Sequence, residues 1–205
     1  ARGIGTGFST FIPNYNPKDI IANILRIIQE EEPKRMKPWY KGYKGRITSG
    51  KDDYTFISSG IYEVLDEYNI KITELPMGGL CPIDYEEFLK SIMINAKDPK
   101  KTQLIDDYRN MSGNDTIDFT VTFSGHTLQK LIKTGTLEAK LKLTSSLATT
   151  NMHLYNEAGK MTKYDVVEDI LRDFCEFRLK MYEKRKEYYT KLLKNELKIL
   201  HYKIK

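Results

Sequence analysis

The apolar stripe running from residue 165 to the end of the chain restricts the fold more than any other feature. Val167, Ile170, Leu171, Phe174, Phe177, Met181, Tyr182, Tyr188, Tyr189, Leu192, Leu193, Leu197 and Leu200 recur at helical spacing. Asp165 with Glu168 three residues on has the pattern of a capping box, which predicts where this helix starts. At 1.5 Å per residue the helix is roughly 60 Å long, more than a compact domain of this size can cover. Lys184-Arg185-Lys186 interrupt the stripe, so packing is expected to face the domain before them and to be coiled-coil-like after them.

Ahead of that helix the periodicity shortens. Runs at 45–48, 54–58, 60–65 and 69–73 read as strands of an antiparallel meander with one buried face, with Asp52-Asp53 and residues 66–69 as turns. Residues 116–123 alternate Ile117, Phe119, Val121 and Phe123, a half-buried strand, and 141–147 and 151–155 give two more. Asn16 can cap a helix with Pro17 at its first position. Ile20, Ile21, Ile24, Leu25 and Ile28 then give that helix a core-facing side, and Glu30-Glu31-Glu32-Pro33 ends it. A second helix is expected over 84–94 and, after a polar connection at 97–101, a third that Ser124 caps and Lys133-Thr134-Gly135 closes. His126, in its first turn, reads as solvent-facing. The expected class is α+β: an antiparallel or mixed sheet domain over 1–165 with flanking helices, and a long helix over 166–205.

Composition narrows the function. Thirty-three Lys and Arg against 28 Asp and Glu leave a net charge of +5, which permits nucleic acid without requiring it. Cys81 and Cys175 lie far apart in different kinds of segment and suggest plain thiols of a reducing compartment, neither disulfide nor metal knuckle. No apolar run is long enough to cross a bilayer, so no membrane partner is expected. The chain begins inside a motif and stops inside a helical pattern, which reads as a piece of a larger protein.

Gly3, Gly5 and Gly7 alternate along the first residues, baring backbone so that another surface can come close. Ile4 stands among them, stiff at its branched Cβ, and a rigid hydrocarbon on such a loop suits insertion between stacked base pairs. A dinucleotide or phosphate cradle would need a strand before the glycines and a helix opening directly from them. Here residues 8–11 read as extended and the next helix waits until Pro17. Residues 34–46 interleave cations with Trp39, Tyr40 and Tyr43, chemistry that suits phosphates and sugars and equally a solvated basic loop. Ser145, Ser146, Thr149, Thr150 and Asn151 cluster between two strands, where they can bond phosphates or satisfy turn backbone.

The opening run, Gly-Ile-Gly-Thr-Gly-Phe-Ser followed by Ile12-Pro13-Asn14-Tyr15, resembles the corresponding segment of type IIA DNA topoisomerases, the eukaryotic and viral topoisomerase II branch. Three further blocks carry the likeness: Ile72-Thr73-Glu74-Leu75-Pro76, residues 143–155 with Asn151-Met152-His153-Leu154 intact, and the helix over 164–189. The resemblance implies the family's tower domain and the start of the coiled coil towards its exit gate. It implies that Ile4 intercalates, that Arg2, Gly3, Gly5, Thr6, Lys44, Leu80, Thr150 and Asn151 contact double-stranded DNA, and that the parent enzyme is an ATP- and Mg2+-dependent homodimer. None of the fourteen tyrosines matches the family's nucleophile motif. That tyrosine, the metal-binding acids and the ATPase domain are expected before Ala1, so no catalytic residue, metal ligand or cofactor site is assigned within the chain. A nuclear location follows for a cellular source and a cytoplasmic viral factory for a viral one.

The departures are local. Arg2 replaces an acidic residue beside the wedge, Leu80 stands roughly where the family has tryptophan, Ser112-Gly113-Asn114-Asp115 replaces His-Thr-Asp, and Cys175 replaces a phenylalanine. Two other classes compete: a coiled-coil scaffold, which leaves the glycine-flanked isoleucine unexplained, and a nucleotide-dependent enzyme, which would require nucleotide binding.

Overall fold

The computed structural model describes residues 2–52, 54–93, 104–113 and 115–204. The expected connection at 97–101, the turn residue Asp53 and the loop residue Asn114 lie outside them. In chain order the elements are β1 (Arg2–Gly5), β2 (Phe8–Phe11), α1 (Pro17–Ile28), β3 (Arg46–Ser49), β4 (Thr55–Ser59), β5 (Ile61–Val64), β6 (Asn69–Glu74) and α2 (Pro82–Met93). There follow β7 (Ile105–Asn110), β8 (Phe119–Phe123), α3 (Thr127–Lys133), α4 (Leu137–Lys140), β9 (Thr144–Ala148), β10 (Met152–Tyr155), β11 (Met161–Tyr164) and α5 (Val167–Ile204). All strand pairings among the described residues are antiparallel, and the class is α+β. Contacts divide the chain into two compact units, Ala1–Lys37 with Asn151–Lys205, and Pro38–Thr150.

In the unit 38–150 the alternation read at 116–123 builds the core. Phe119, Val121 and Phe123 of β8 and Ile70 and Ile72 of β6 meet Tyr85 and Leu89 of α2, Leu128 of α3 and Leu141. Each such burial is worth about 1.5–3 kcal/mol, which sets which strand faces point inward. The strands do not form one meander: β5-β6-β8-β7 make one sheet and β3-β4-β9 another. The break falls at Gly60, whose N–H bonds the Leu143 carbonyl at 2.9 Å. A Cβ there would stand 2.3 Å from the Glu74 carbonyl oxygen, so only glycine lets the chain change sheets at that point. Ser124 does not cap α3; its hydroxyl bonds Asp106, and the helix starts without a side-chain cap.

In the other unit, α1 begins as its sequence predicts, with Asn16 accepting the Lys18 N–H at 3.0 Å and Pro17 in the first turn. Its apolar stripe, expected to face a core, leaves Ile21, Leu25 and Ile28 each more than half exposed. The buried residue is Asn23, whose amide mimics a peptide unit: Nδ2 donates to the Lys34 carbonyl at 2.7 Å and Oδ1 accepts the Lys34 N–H at 2.9 Å. The capping box at the head of α5 does not form. Glu168 accepts the Met36 N–H at 2.8 Å and Asp165 pairs with Lys163 at 3.5 Å. Beyond Cys175, which is buried, the helix loses its cover, and every residue from 181 to 204 is exposed. Its 38 residues make an arm of about 57 Å.

Tyr85 gives a pH test of the core. Its hydroxyl donates to the Leu141 carbonyl at 2.8 Å, and burial raises its pKa far above the ordinary tyrosine value. A raised folded pKa means a contribution fully present below the unfolded value of about 10 and lost as pH climbs past it, at up to ~1.4 kcal/mol per pH unit. Tyr85→Phe should cost about 1 kcal/mol at neutral pH. It should also make the alkaline loss of stability shallower, as read by urea unfolding across the pH range.

Candidate nucleic-acid interface

The glycine-rich opening is a β-hairpin. Arg2 pairs with Phe11, Gly3 with Thr10, Ile4 with Ser9 and Gly5 with Phe8. Thr6 and Gly7 form the turn, and Gly7 takes a φ of +73°, where a side chain would be strained. Strand alternation then separates two faces, with Arg2 and Ile4 on one and Gly3 and Gly5 on the other. Thr10 shares the glycine face, and a Cβ on Gly3 would stand 3.1 Å from the Thr10 methyl. The Thr10 hydroxyl donates to the His153 carbonyl and accepts the His153 N–H, both at 3.0 Å. The Phe11 N–H donates to the Asn151 carbonyl at 2.9 Å, and Asn151 Nδ2 donates to the Ser9 hydroxyl at 3.0 Å. The hairpin is thus fixed to the start of β10 by Thr10 on its glycine face, by the Phe11 N–H at its edge and by Ser9 opposite Ile4, while Ile4 is 78% exposed.

Arg2, Gly3, Ile4, Gly5, Thr6 and Asn151 are therefore gathered in one unit, and Lys44, Leu80 and Thr150 belong to the other. In that second unit a buried hydroxyl arranges the chain. The Ser58 hydroxyl lies 2.8 Å from the Tyr43 hydroxyl and accepts the Met77 N–H at 2.8 Å, while Tyr43 also donates to the Ser59 carbonyl at 2.6 Å. Burial, outweighing the bond from Ser58, raises the Tyr43 pKa and keeps the phenol a donor. A Cβ on Gly45 would fall 2.2 Å from the Tyr43 hydroxyl, which accounts for glycine directly after Lys44. The same serine therefore ties down both the segment carrying Lys44, which is exposed, and the loop after Pro76. Gly78, with φ +76°, brings that loop against Leu147 of β9, where a Cβ would stand 2.6 Å from the Leu147 side chain. Leu80 is partly buried against the core, and Thr150 is exposed in the turn after β9. Its neighbour Thr149 is buried, bonding the Tyr54 carbonyl at 3.0 Å.

Thr10 and Ser58 hold this arrangement without a signal in their residue types, whereas Gly45 lies in the basic, aromatic stretch 34–46 that the sequence singles out.

The family model for the DNA gyrase/topoisomerase IV A subunit matches residues 1–205. The DNA topoisomerase 2 of Plasmodium falciparum is 46% identical over 205 residues, covering 100% of this chain and 14% of that protein. The DNA topoisomerase 2 of Acanthamoeba polyphaga mimivirus is 35% identical over 258 residues, covering 100% of this chain and 20% of that protein. A crystal structure of the Plasmodium falciparum topoisomerase II DNA-binding, cleavage and re-ligation domain superposes with a TM-score of 0.84 at 44% identity, over 92% of this chain and 25% of that one. The chain belongs to the type II DNA topoisomerase family. Its likeness runs to the eukaryotic and viral DNA topoisomerase 2 proteins, of which it spans only a small part.

Thr10→Val keeps shape and removes the hydroxyl that bridges the hairpin to His153. It should destabilise the chain by about 1–3 kcal/mol, because the His153 N–H and carbonyl lose their partner. Amide hydrogen exchange should speed up at Phe11 and His153 first, and unchanged protection there would mean that the hairpin is held by other means.

Proposed function

We propose that this chain binds double-stranded DNA and bends it by driving Ile4 between base steps, within a larger homodimeric enzyme that cuts one duplex, passes another through it and reseals. The exposure of Ile4 on an anchored hairpin carries this reading. A β-branched side chain left in water forgoes about 1.5–3 kcal/mol of burial, which the base stack can return. Unstacking costs a few kcal/mol per step, so the wedge offsets part of that cost and the rest must come from phosphate contacts along the bent duplex. Arg2 lies on the same hairpin face, placed to meet phosphate beside the wedge. Gly3 and Gly5 leave the backbone bare, Thr6 stands in the turn, and Asn151 holds the hairpin through Ser9, the residue opposite Ile4. Lys44, Thr150 and the loop carrying Leu80 supply the second unit's contacts.

Among the described residues no group of three His, Cys, Asp or Glu side chains could hold a metal ion. Cleavage and nucleotide chemistry are assigned to other parts of the parent enzyme on the ground that none of the fourteen tyrosines matches the family's nucleophile motif. A scaffold role has one observation in its favour, the exposed apolar side of α5, where Leu193 and Leu197 stand uncovered. That side suits pairing with another helix and is compatible with the DNA reading, since a coiled coil can join two copies of the wedge.

In the full-length enzyme, Ile4→Ala should leave DNA affinity within about threefold while reducing the bend, read by fluorescence transfer between labelled duplex ends. A bend angle equal to wild type would rule out the wedge. Arg2→Glu should weaken binding and flatten the plot of log affinity against log salt by about one phosphate contact. An unchanged slope would remove Arg2 from the interface.

A further inference from the structure

The chain's positive charge is concentrated in one place. Residues 178–205 hold ten Lys and Arg against three Glu, a net +7, whereas residues 1–177 hold 23 against 25, a net −2. The excess that makes the chain basic therefore lies entirely within residues 178–205, which take in the distal part of α5. It is also ordered around the helix. At about 100° per residue, Lys180, Lys184, Lys191, Lys194 and Lys198 fall within an arc of roughly 80°. Glu187 is the one acid inside that arc, and Glu183 borders it. Tyr182, Tyr189, Leu193 and Leu200 lie on the opposite side, so a helix packed on the apolar side leaves the lysines facing outward.

Lys180 is engaged, its Nζ standing 3.2 Å from the Glu157 carboxylate. Among the described residues Lys184, Lys191, Lys194 and Lys198 form no ion pair, and all four are exposed. Lys191 with Lys194 and Lys194 with Lys198 are helical neighbours of like charge, a spacing that weakens a helix in water. A face that only had to stay wet is served by mixed signs, whereas this one gains from a polyanion. The stripe runs about 27 Å along the axis, against a phosphate spacing of about 3.4 Å along a DNA strand. Lysine is a flexible point charge, suited to phosphates whatever the base sequence.

We propose that the lysine stripe of distal α5 is a second contact for duplex DNA, separate from the hairpin, held through phosphates and indifferent to sequence. The inference rests on duplex DNA being the ligand of the chain, as argued above, but it places a different set of residues against it.

The test is a salt titration of the 205-residue chain with a short mixed-sequence duplex, comparing wild type, K184Q/K191Q/K194Q/K198Q and Arg2→Glu. Glutamine matches lysine as a helix former, so circular dichroism should show the arm intact. The quadruple variant should reduce the magnitude of the salt slope by about 3.6, at roughly 0.9 for each of four phosphate contacts. The matching four-arginine variant should keep the wild-type slope, and K130Q/K133Q, on α3, should leave it unchanged. An unaltered slope in the quadruple glutamine variant overturns the arm contact. If that variant changes sedimentation instead, the stripe belongs to a helix–helix or protein interface and the inference falls. A slope that responds to Arg2→Glu but not to the four glutamines refutes the arm alone; the reverse supports the arm and removes Arg2 from the interface.

Discussion

A single hydroxyl fixes what the hairpin can do. Thr10 bonds both backbone groups of His153, and its cross-strand partner is Gly3, where a Cβ would stand 3.1 Å from the Thr10 methyl. A short two-stranded hairpin is marginal by itself in water. Tied to β10, it becomes a supported mount on which Ile4 stands exposed. The opening motif and the Asn151-Met152-His153-Leu154 block, distant in the chain, are therefore two halves of one device. One presents the apolar side chain and the other holds it in place.

The second unit uses the same economy of parts. Ser58 is fully buried, and through Tyr43 and Met77 it locks the segment bearing Lys44 and the loop after Pro76. Gly45, Gly60 and Gly78 are required there by close approach, each standing where a Cβ would meet another atom at under 3 Å. The basic and polar side chains offered to solvent thus rest on a frame of buried hydroxyls and bare backbone. Charge follows a different rule, since it collects on the distal arm instead of around the wedge.

What the sequence disclosed depended on how local the determining forces were. Periodicity found α1, α2, β8 and the long α5, because a repeated apolar face is written along the element itself. The resemblance identified the family and singled out Ile4 by motif. The hairpin was read as a loop, since two four-residue strands are too short to show a period and glycines hide the pairing. Two capping predictions failed for one reason: Ser124 and Glu168 had better partners far away, in Asp106 and the Met36 N–H. The stripe on α1 said that the helix is amphipathic without saying what covers it, and Ile21, Leu25 and Ile28 stay exposed. Asn23, Ser58 and Thr10 were invisible because their roles exist only once distant segments have met.

The proposed wedge requires that a hydrocarbon side chain at position 4 separates stacked bases. Its most direct measurement places a stacking-sensitive fluorescent base, 2-aminopurine, at successive steps of a bound duplex. Intercalation by Ile4 should give a rise in fluorescence confined to one step per chain with wild type and absent with Ile4→Ala, with both proteins fully bound. A rise of equal size in both, or none in either, would contradict it.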